Sequence, residues 1–294
     1  MSIQKTITIG AKTGHPLTVK RFGYGSMRLT GEEMIWGEPK NRPEALQILK
    51  TAVREDIKFI DTADFYGDDV TNRLIAEALY PYPDDLVICT KVGADRGADK
   101  SWRFYDTPEN LRAGIENNLK TLKTEQLPLV HLRIMPGSDT PLEESLGAMF
   151  EMQKEGKILH VGLSNVSPDE LNKGLTMGNI ASVENAFGYA QRTTFEMHGM
   201  EIRGLQEVMD RCLADKIVMI PFWSLQSSVL KEDRRISEIA DKYKVTAAQI
   251  NLAWTLHLND LMLPIPGTSK LNHFKENIQA LNIPLTDEDM EFLG

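Results

Sequence analysis

What most constrains this chain is the regular alternation of two kinds of segment. Short apolar runs stand at 58–61, 86–90, 129–134, 159–163, 182–185, 217–221 and 262–265. Segments with helical apolar spacing follow them at 72–79, 107–120, 142–154, 168–175, 202–213, within 236–258, and at 271–280. One further helical pattern opens at Pro43, where a missing N–H costs nothing, and a weak strand at 21–24 precedes it. Alternation of this kind gives parallel strands joined by crossover helices. About eight such units without a linker predict one closed (β/α)₈ TIM barrel of the α/β class rather than an open sheet. Two β-like runs at 7–10 and 17–22, separated by Lys12-Thr13-Gly14-His15-Pro16, predict an N-terminal β-hairpin. With no low-complexity stretch and no composition break, residues 1–294 are expected to form one domain.

Composition sets the class of partner. The chain is 41% hydrophobic and 26% charged, enough to bury a core without disulfides. Its two cysteines, Cys89 and Cys212, fall in apolar patterns and are expected to be reduced and buried, as in a cytoplasmic protein. A net charge of −9 argues against nucleic acid and anionic membranes as partners, though local cations or helix N-termini can still hold an anionic ligand. No apolar run reaches the roughly 20 residues of a membrane span, and Met1-Ser2-Ile3-Gln4-Lys5-Thr6 lacks the apolar core of a signal peptide. A small molecule is the expected partner, with the chain a monomer or weak homo-oligomer.

Chemistry collects at the strand ends. In such a barrel, active groups sit where strands end and loops begin, and Asp61, Lys91, Ser164-Asn165, Glu184-Asn185, Phe222 and Gly267-Thr268 fall there. Alternation puts Phe59 with Asp61, and Val87 and Cys89 with Lys91, on inward faces. Tyr66 follows five residues after Asp61. An acid, a phenol and an amine meeting at one edge suit proton transfer at the phenol. The ammonium is expected to lower the phenol pKa from about 10, and the carboxylate to keep the amine charged. The spacing alone equally allows a buried ion pair with an incidental tyrosine. Gly23-Tyr24-Gly25-Ser26-Met27 can approach a ligand closely. Trp102-Arg103-Phe104-Tyr105 is either loop packing or a substrate wall, and Trp223 is a second candidate for that wall. Trp254 reads as core. The histidines show no metal-ligand spacing, so no metal is expected.

Several motifs then carry a resemblance. Phe59-Ile60-Asp61-Thr62-Ala63-Asp64-Phe65-Tyr66-Gly67, Thr90-Lys91-Val92-Gly93, Gly162-Leu163-Ser164-Asn165, Ile265-Pro266-Gly267-Thr268-Ser269 and Glu276-Asn277 stand in order over most of the chain. Together they resemble the aldo-keto reductase superfamily, most of all the bacterial and fungal branch that includes pyridoxal reductases. The resemblance implies NADPH (NADH less so) bound in extended form, and hydride transfer to an aldehyde or ketone. It implies that Asp61, Tyr66 and Lys91 are three of four catalytic residues, with Tyr66 as the acid. Ser164, Asn165 and Glu184 match the positions at the nicotinamide carboxamide, and Phe222 the aromatic residue stacked on that ring. Gly267, Thr268, Ser269 and Lys270 match the loop at the 2′-phosphate, with His273, Glu276 and Asn277 toward the adenine. Gly25, Ser26 and Met27 are expected at the cofactor too, and Trp102, Trp223 and Arg133 around the substrate.

The departures are as informative. The fourth catalytic residue of such enzymes is a histidine about six residues into the fourth strand, and counting from Leu129 places Pro136 there. His131, on the other parity, is expected to face the helices. The missing hydrogen bond would come from Arg133, another loop donor or water. Glu184 stands where glutamine is usual, and a carboxylate can only accept. His273 stands in place of an arginine, leaving Lys270 as the phosphate cation. The sequence therefore predicts an NADPH-dependent reductase of a small carbonyl compound, pyridoxal among them. The alternative is a cofactor-binding protein whose weakened catalysis serves redox sensing or interaction. A Schiff-base enzyme built on Lys91 is disfavoured, because a salt-bridged lysine is too protonated to attack.

Overall fold

The computed structural model describes residues 3–31, 35–197, 200–222, 225, 230 and 232–294. The hairpin comes first: β1 (Thr6–Ile9) pairs antiparallel with β2 (Leu17–Lys20), Thr6 opposite Lys20. Seven strands then run parallel: β3 (Tyr24–Gly25), β4 (Phe59–Asp61), β5 (Val87–Arg96), β7 (Leu127–Arg133), β8 (Ile158–Ser164), β9 (Ser182–Glu184) and β12 (Val218–Met219). The segment around Met262 supplies the eighth position. Met262 bridges Met219 in parallel, and the Leu263 N–H donates to the Met219 carbonyl at 2.9 Å. The Gly23 N–H then donates to the Pro264 carbonyl at 2.9 Å, which brings the last strand against the first. The (β/α)₈ barrel is the observed fold.

Between these strands lie α1 (Arg42–Arg54), α2 (Val70–Leu79), α3 (Pro108–Thr121), α4 (Leu142–Lys154), α5 (Pro168–Met177), α6 (Gln206–Ala214), α7 (Arg234–Tyr243), α8 (Ala247–Leu258) and α9 (Leu271–Ile278), with α10 (Asp287–Leu293) at the end. Helix starts follow local chemistry. Thr107 and Ser167 cap α3 and α5 through their hydroxyls, each with proline just inside, and Thr246 closes a capping box with Gln249 on α8.

Two layers of side chains organise the interior. Near the strand starts, Phe59, Val87, Leu129, Val218 and Leu263 pack with Ile7, Ile9 and Val19 of the hairpin, which therefore plugs that end of the barrel. At the opposite ends Asp61, Arg133, Ser164 and Glu184 are each the last residue of a strand, and all are buried. The barrel is apolar at its base and charged at its mouth.

Three segments differ from their predicted form. Strand β5 runs on to Arg96 and pairs antiparallel with β6 (Trp102–Tyr105), so the aromatic cluster is a strand rather than an irregular loop. The pattern assigned to a helix from 202 begins as a hairpin, β10 (Phe195–Met197) against β11 (Met200–Ile202), with α6 starting only at Gln206. Its signal was two period-2 pairs, Phe195 with Met197 and Met200 with Ile202, with two residues between them. Finally, β7 begins at Leu127, two residues earlier than predicted, which moves the catalytic count.

Candidate active site

Lys91 is the centre of the polar layer. Its ammonium donates to Asp61 Oδ1 and, at 3.1 Å, to the Thr62 carbonyl, and Glu184 Oε1 lies 3.3 Å away. All three side chains are at least 96% buried. Burial opposes the ammonium, but Asp61 and Glu184 outweigh it and raise the Lys91 pKa. Two carboxylates on one cation leave an excess negative charge. Burial and the charge of Glu184 push Asp61 up, whereas Lys91 and His131, working against burial, hold Glu184 down at about 2.

Tyr66 stands on the loop after β4. Its N–H donates to the Ala63 carbonyl at 3.1 Å, and its ring packs edge-on against Phe65 at 5.2 Å between centroids. Lys91 Nζ lies 5.2 Å from the centre of the same ring. The spatial meeting read from the sequence is present, but the expected depression of the phenol pKa is not. Burial raises it and outweighs the lowering by Lys91, and Asp61 and Glu184 raise it further. Tyr66 is a phenol that keeps its proton.

His131 corrects the parity argument. It points into the barrel, not toward the helices: its Nδ1 faces Glu184 Oε2 at 3.0 Å and Cys89 Sγ at 3.2 Å, and its Nε2 meets Ser182 Oγ at 2.8 Å. The strand ends at Arg133, so parity could not be counted out to Pro136. A Cβ on Gly162 would come within 2.2 Å of the imidazole, so the glycine makes room for it. Burial lowers the His131 pKa and keeps the ring neutral. Cys89, His131 and Glu184 place ligating atoms within 4.8 Å of one another. Even so, the Lys91 ammonium beside Glu184 repels a cation, and burial keeps Cys89 a thiol. The trio reads as polar packing beneath Lys91.

A cavity of about 590 Å³ opens above this layer. Asp61, Tyr66, Lys91, Glu184, Arg133, Trp102, Phe222, Gly25, Met27 and Gly267 all line it. The sequence did not point to its remaining walls, which come from Phe65, Ile35 and the β10–β11 hairpin through Phe195, Met200 and Ile202. Trp102 packs edge-on to Phe65 at 5.6 Å and lies under the Arg96 guanidinium at 4.4 Å. Trp223 lies outside the described residues.

Other predicted contacts are placed differently. Asn165 spends its side chain on the loops: Nδ2 donates to the Ile134 and Glu201 carbonyls at 3.0 Å, and Oδ1 accepts from the Arg203 N–H at 2.7 Å. With φ at 61° and no exposure, it braces the rim and does not line the cavity. Ser164 is equally buried, and its hydroxyl accepts from Arg133 Nη1 at 3.2 Å. Gly25 and Gly267 serve each other. A Cβ on Gly25 would sit 2.7 Å from the Ile265 carbonyl, and one on Gly267 2.8 Å from that of Gly25. Ser26 Oγ is buried without a hydrogen-bond partner among the described residues. Further along, Thr268 accepts from the Lys270 N–H at 3.1 Å, and its carbonyl accepts from Tyr24 at 2.6 Å. Ser269, Lys270, His273 and Glu276 are exposed on this loop and α9, and Asn277 is buried. At the start of α9, where a phosphate was expected, Glu44 Oε1 accepts the Leu271 N–H at 3.0 Å and Oε2 lies 3.8 Å from Lys270 Nζ.

Residues 21–293 match the Aldo/keto reductase family model, so the chain belongs to the aldo/keto reductase family. It is an oxidoreductase of that family. Among relatives, it is 36% identical to an Escherichia coli pyridoxine 4-dehydrogenase over 98% of this chain and 96% of that protein. It is also 36% identical to a Schizosaccharomyces pombe oxidoreductase, over 92% of this chain and 85% of that one. Among solved structures, a thermostable aldo-keto reductase bound to the inhibitor epalrestat superposes with a TM-score of 0.80 at 25% identity, covering 99% of this chain and 98% of the other. A Klebsiella pneumoniae aldo/keto reductase solved with NADP and acetate shares the fold, with a TM-score of 0.78 at 22% identity, over 99% and 94% of the two chains.

Proposed function

We propose that this chain, as a single cytoplasmic domain, reduces an aldehyde to an alcohol with NADPH, with Tyr66 as the proton donor. The observation that carries this reading is the buried Asp61–Lys91–Glu184 cluster beneath a protonated Tyr66 that lines the cavity. When bound, NADPH supplies the hydride to the carbonyl carbon. The phenol gives its proton to the carbonyl oxygen as negative charge develops there, and the resulting phenolate recovers a proton from solvent. Lys91 stabilises that phenolate, and the two carboxylates keep Lys91 charged. The Phe222 ring and the backbone of Gly25 and Gly267, which line the cavity, would fit a nicotinamide nucleotide, and next to Gly25 the buried Ser26 hydroxyl has no hydrogen-bond partner among the described residues. Glu44 fits it less well, since its carboxylate occupies the start of α9.

Pyridoxal is the substrate to try first. The E. coli relative is named for pyridoxine, and the cavity offers aromatic walls from Trp102, Phe65 and Phe222. Loss of NADPH absorbance with pyridoxal or 4-nitrobenzaldehyde tests the reading. Tight NADPH binding without turnover of any aldehyde would instead favour a redox-sensing or interaction role.

Two further expectations follow from the electrostatics. Burial, together with Asp61 and Glu184, raises the Tyr66 pKa against Lys91 and Arg133, so the phenol stays protonated from about pH 6 to 9. Reduction should show no loss from Tyr66 ionisation across that range. Alcohol oxidation needs the phenolate and should climb steadily with pH, as initial rates in both directions would record. At the other end of the site, Glu44→Gln removes a negative charge at a helix N-terminus. It should raise affinity for NADPH relative to NADH about twofold to fivefold, measurable by titrating nucleotide fluorescence.

A further inference from the structure

Arg133 is a cation in a place where cations are expensive. It ends β7, is 8% exposed and lines the cavity. Its guanidinium donates from Nη1 to Ser164 Oγ at 3.2 Å and from Nη2 to the weak acceptor Met200 Sδ at 3.7 Å. Its Cζ lies 5.3 Å from the Phe222 ring centre, so one face is covered by an aromatic. Among the described residues no carboxylate forms an ion pair with it, whereas Asp61 and Glu184 are both engaged with Lys91. A guanidinium this buried, held by one hydroxyl and one thioether and without an ion-paired carboxylate among the described residues, gains from any acceptor that completes it. The side open to the cavity is where that completion has to come from.

Position narrows what completes it. Counted from the observed start of the fourth parallel strand at Leu127, the sixth residue on is Arg133, not Pro136. Pro136 does not line the cavity, and His131 is spent beneath Lys91. We infer that Arg133 is a second catalytic donor, hydrogen-bonding the substrate carbonyl oxygen beside Tyr66. Its fork favours carbonyl compounds that carry a second acceptor oxygen next to the carbonyl, such as ortho-hydroxy aromatic aldehydes. A guanidinium presents parallel N–H groups that match two neighbouring acceptor oxygens, and it stays charged where an imidazole would titrate. The proton still comes from Tyr66; Arg133 gives up none and stabilises the alkoxide as it forms.

This inference rests on the aldehyde-reduction reading, and the test separates the two. Wild type, Arg133→Met, Arg133→Lys and Arg133→His are compared on 4-nitrobenzaldehyde, 2-hydroxybenzaldehyde and 3-hydroxybenzaldehyde with saturating NADPH. Salicylate serves as an unreactive ligand and NADPH affinity as the control. Arg133→Met is expected to lower kcat by about 100-fold on every aldehyde, with the NADPH Kd within about twofold of wild type. The preference for 2-hydroxy over 3-hydroxybenzaldehyde, divided by the wild-type preference so that intrinsic reactivities cancel, should fall well below unity, and salicylate binding should weaken in step. Arg133→His should recover part of kcat and add a fall in rate as pH rises through the imidazole titration, which wild type lacks. An unchanged kcat and preference in Arg133→Met would overturn the inference, as would a loss explained wholly by weaker NADPH binding. If Arg133→Met does not fold, the same outcomes are read from Arg133→Lys, which keeps the charge and loses the fork. A wild-type protein that reduces none of the aldehydes would sink the parent reading instead.

Discussion

Tyr66→Phe is expected to lower kcat for any aldehyde by about 10²–10⁴-fold, the usual contribution of a positioned acid, while leaving NADPH affinity within about twofold. The change removes one hydroxyl and keeps the ring that packs edge-on against Phe65. Thermal stability should therefore hardly move, so the loss would belong to proton transfer and not to folding. The prediction is sharp because the site offers few replacement acids. Lys91 is held by two carboxylates, Arg133 does not release protons, and His131 lies beneath Lys91 facing Glu184 and Ser182. Steady-state kinetics and nucleotide titration on the purified variant would check it, and retention of more than about a tenth of wild-type kcat would remove Tyr66 from the acid role.

The second large effect concerns stability. Lys91→Met should cost about 3–5 kcal/mol, because it leaves Asp61 and Glu184 buried against each other without a counter-ion. The sign with pH follows from the direction of the shift. Asp61, already pushed up in the native state, would be pushed higher still without the ammonium. A raised carboxyl pKa means that the folded form binds its proton more tightly than the unfolded chain does. The variant should therefore lose least stability in mildly acid solution and most above neutrality. Adding Glu184→Gln should restore part of the loss, since it removes one of the two opposed charges. Urea denaturation of the single and double variants at two pH values measures this directly, and a double variant no more stable than the single one would show that the carboxylates do not compete for Lys91.

The fold was readable because strand–helix alternation is a property of the chain itself, and Asp61 and Lys91 were readable because they close apolar runs of period 2. What escaped was anything decided by where a strand starts or stops. Counting on past Arg133, where β7 ends, put Pro136 in the catalytic place and sent His131 to the wrong side of the sheet. The β10–β11 hairpin was absorbed into a helical pattern because Ile202 also suits the apolar spacing of α6. The phenol pKa was misjudged for another reason: one lysine beside one tyrosine lowers it, but the sequence did not show how deeply the ring is buried, nor that Glu184, more than ninety residues beyond Lys91, joins Asp61 in opposing that lysine. Asn165 shows the limit of motif matching, since the residue stands where the resemblance placed it while its amide is tied to Ile134, Glu201 and Arg203.

The central claim is that hydride passes from NADPH to a carbonyl carbon while Tyr66 protonates the oxygen. It is tested most directly by supplying NADPH deuterated at both C4 positions with 4-nitrobenzaldehyde and weighing the alcohol produced. Wild type should give an alcohol with one deuterium on the carbinol carbon, and Tyr66→Phe should give almost none in the same time. An undeuterated alcohol, or equal labelled product from Tyr66→Phe, would contradict the account.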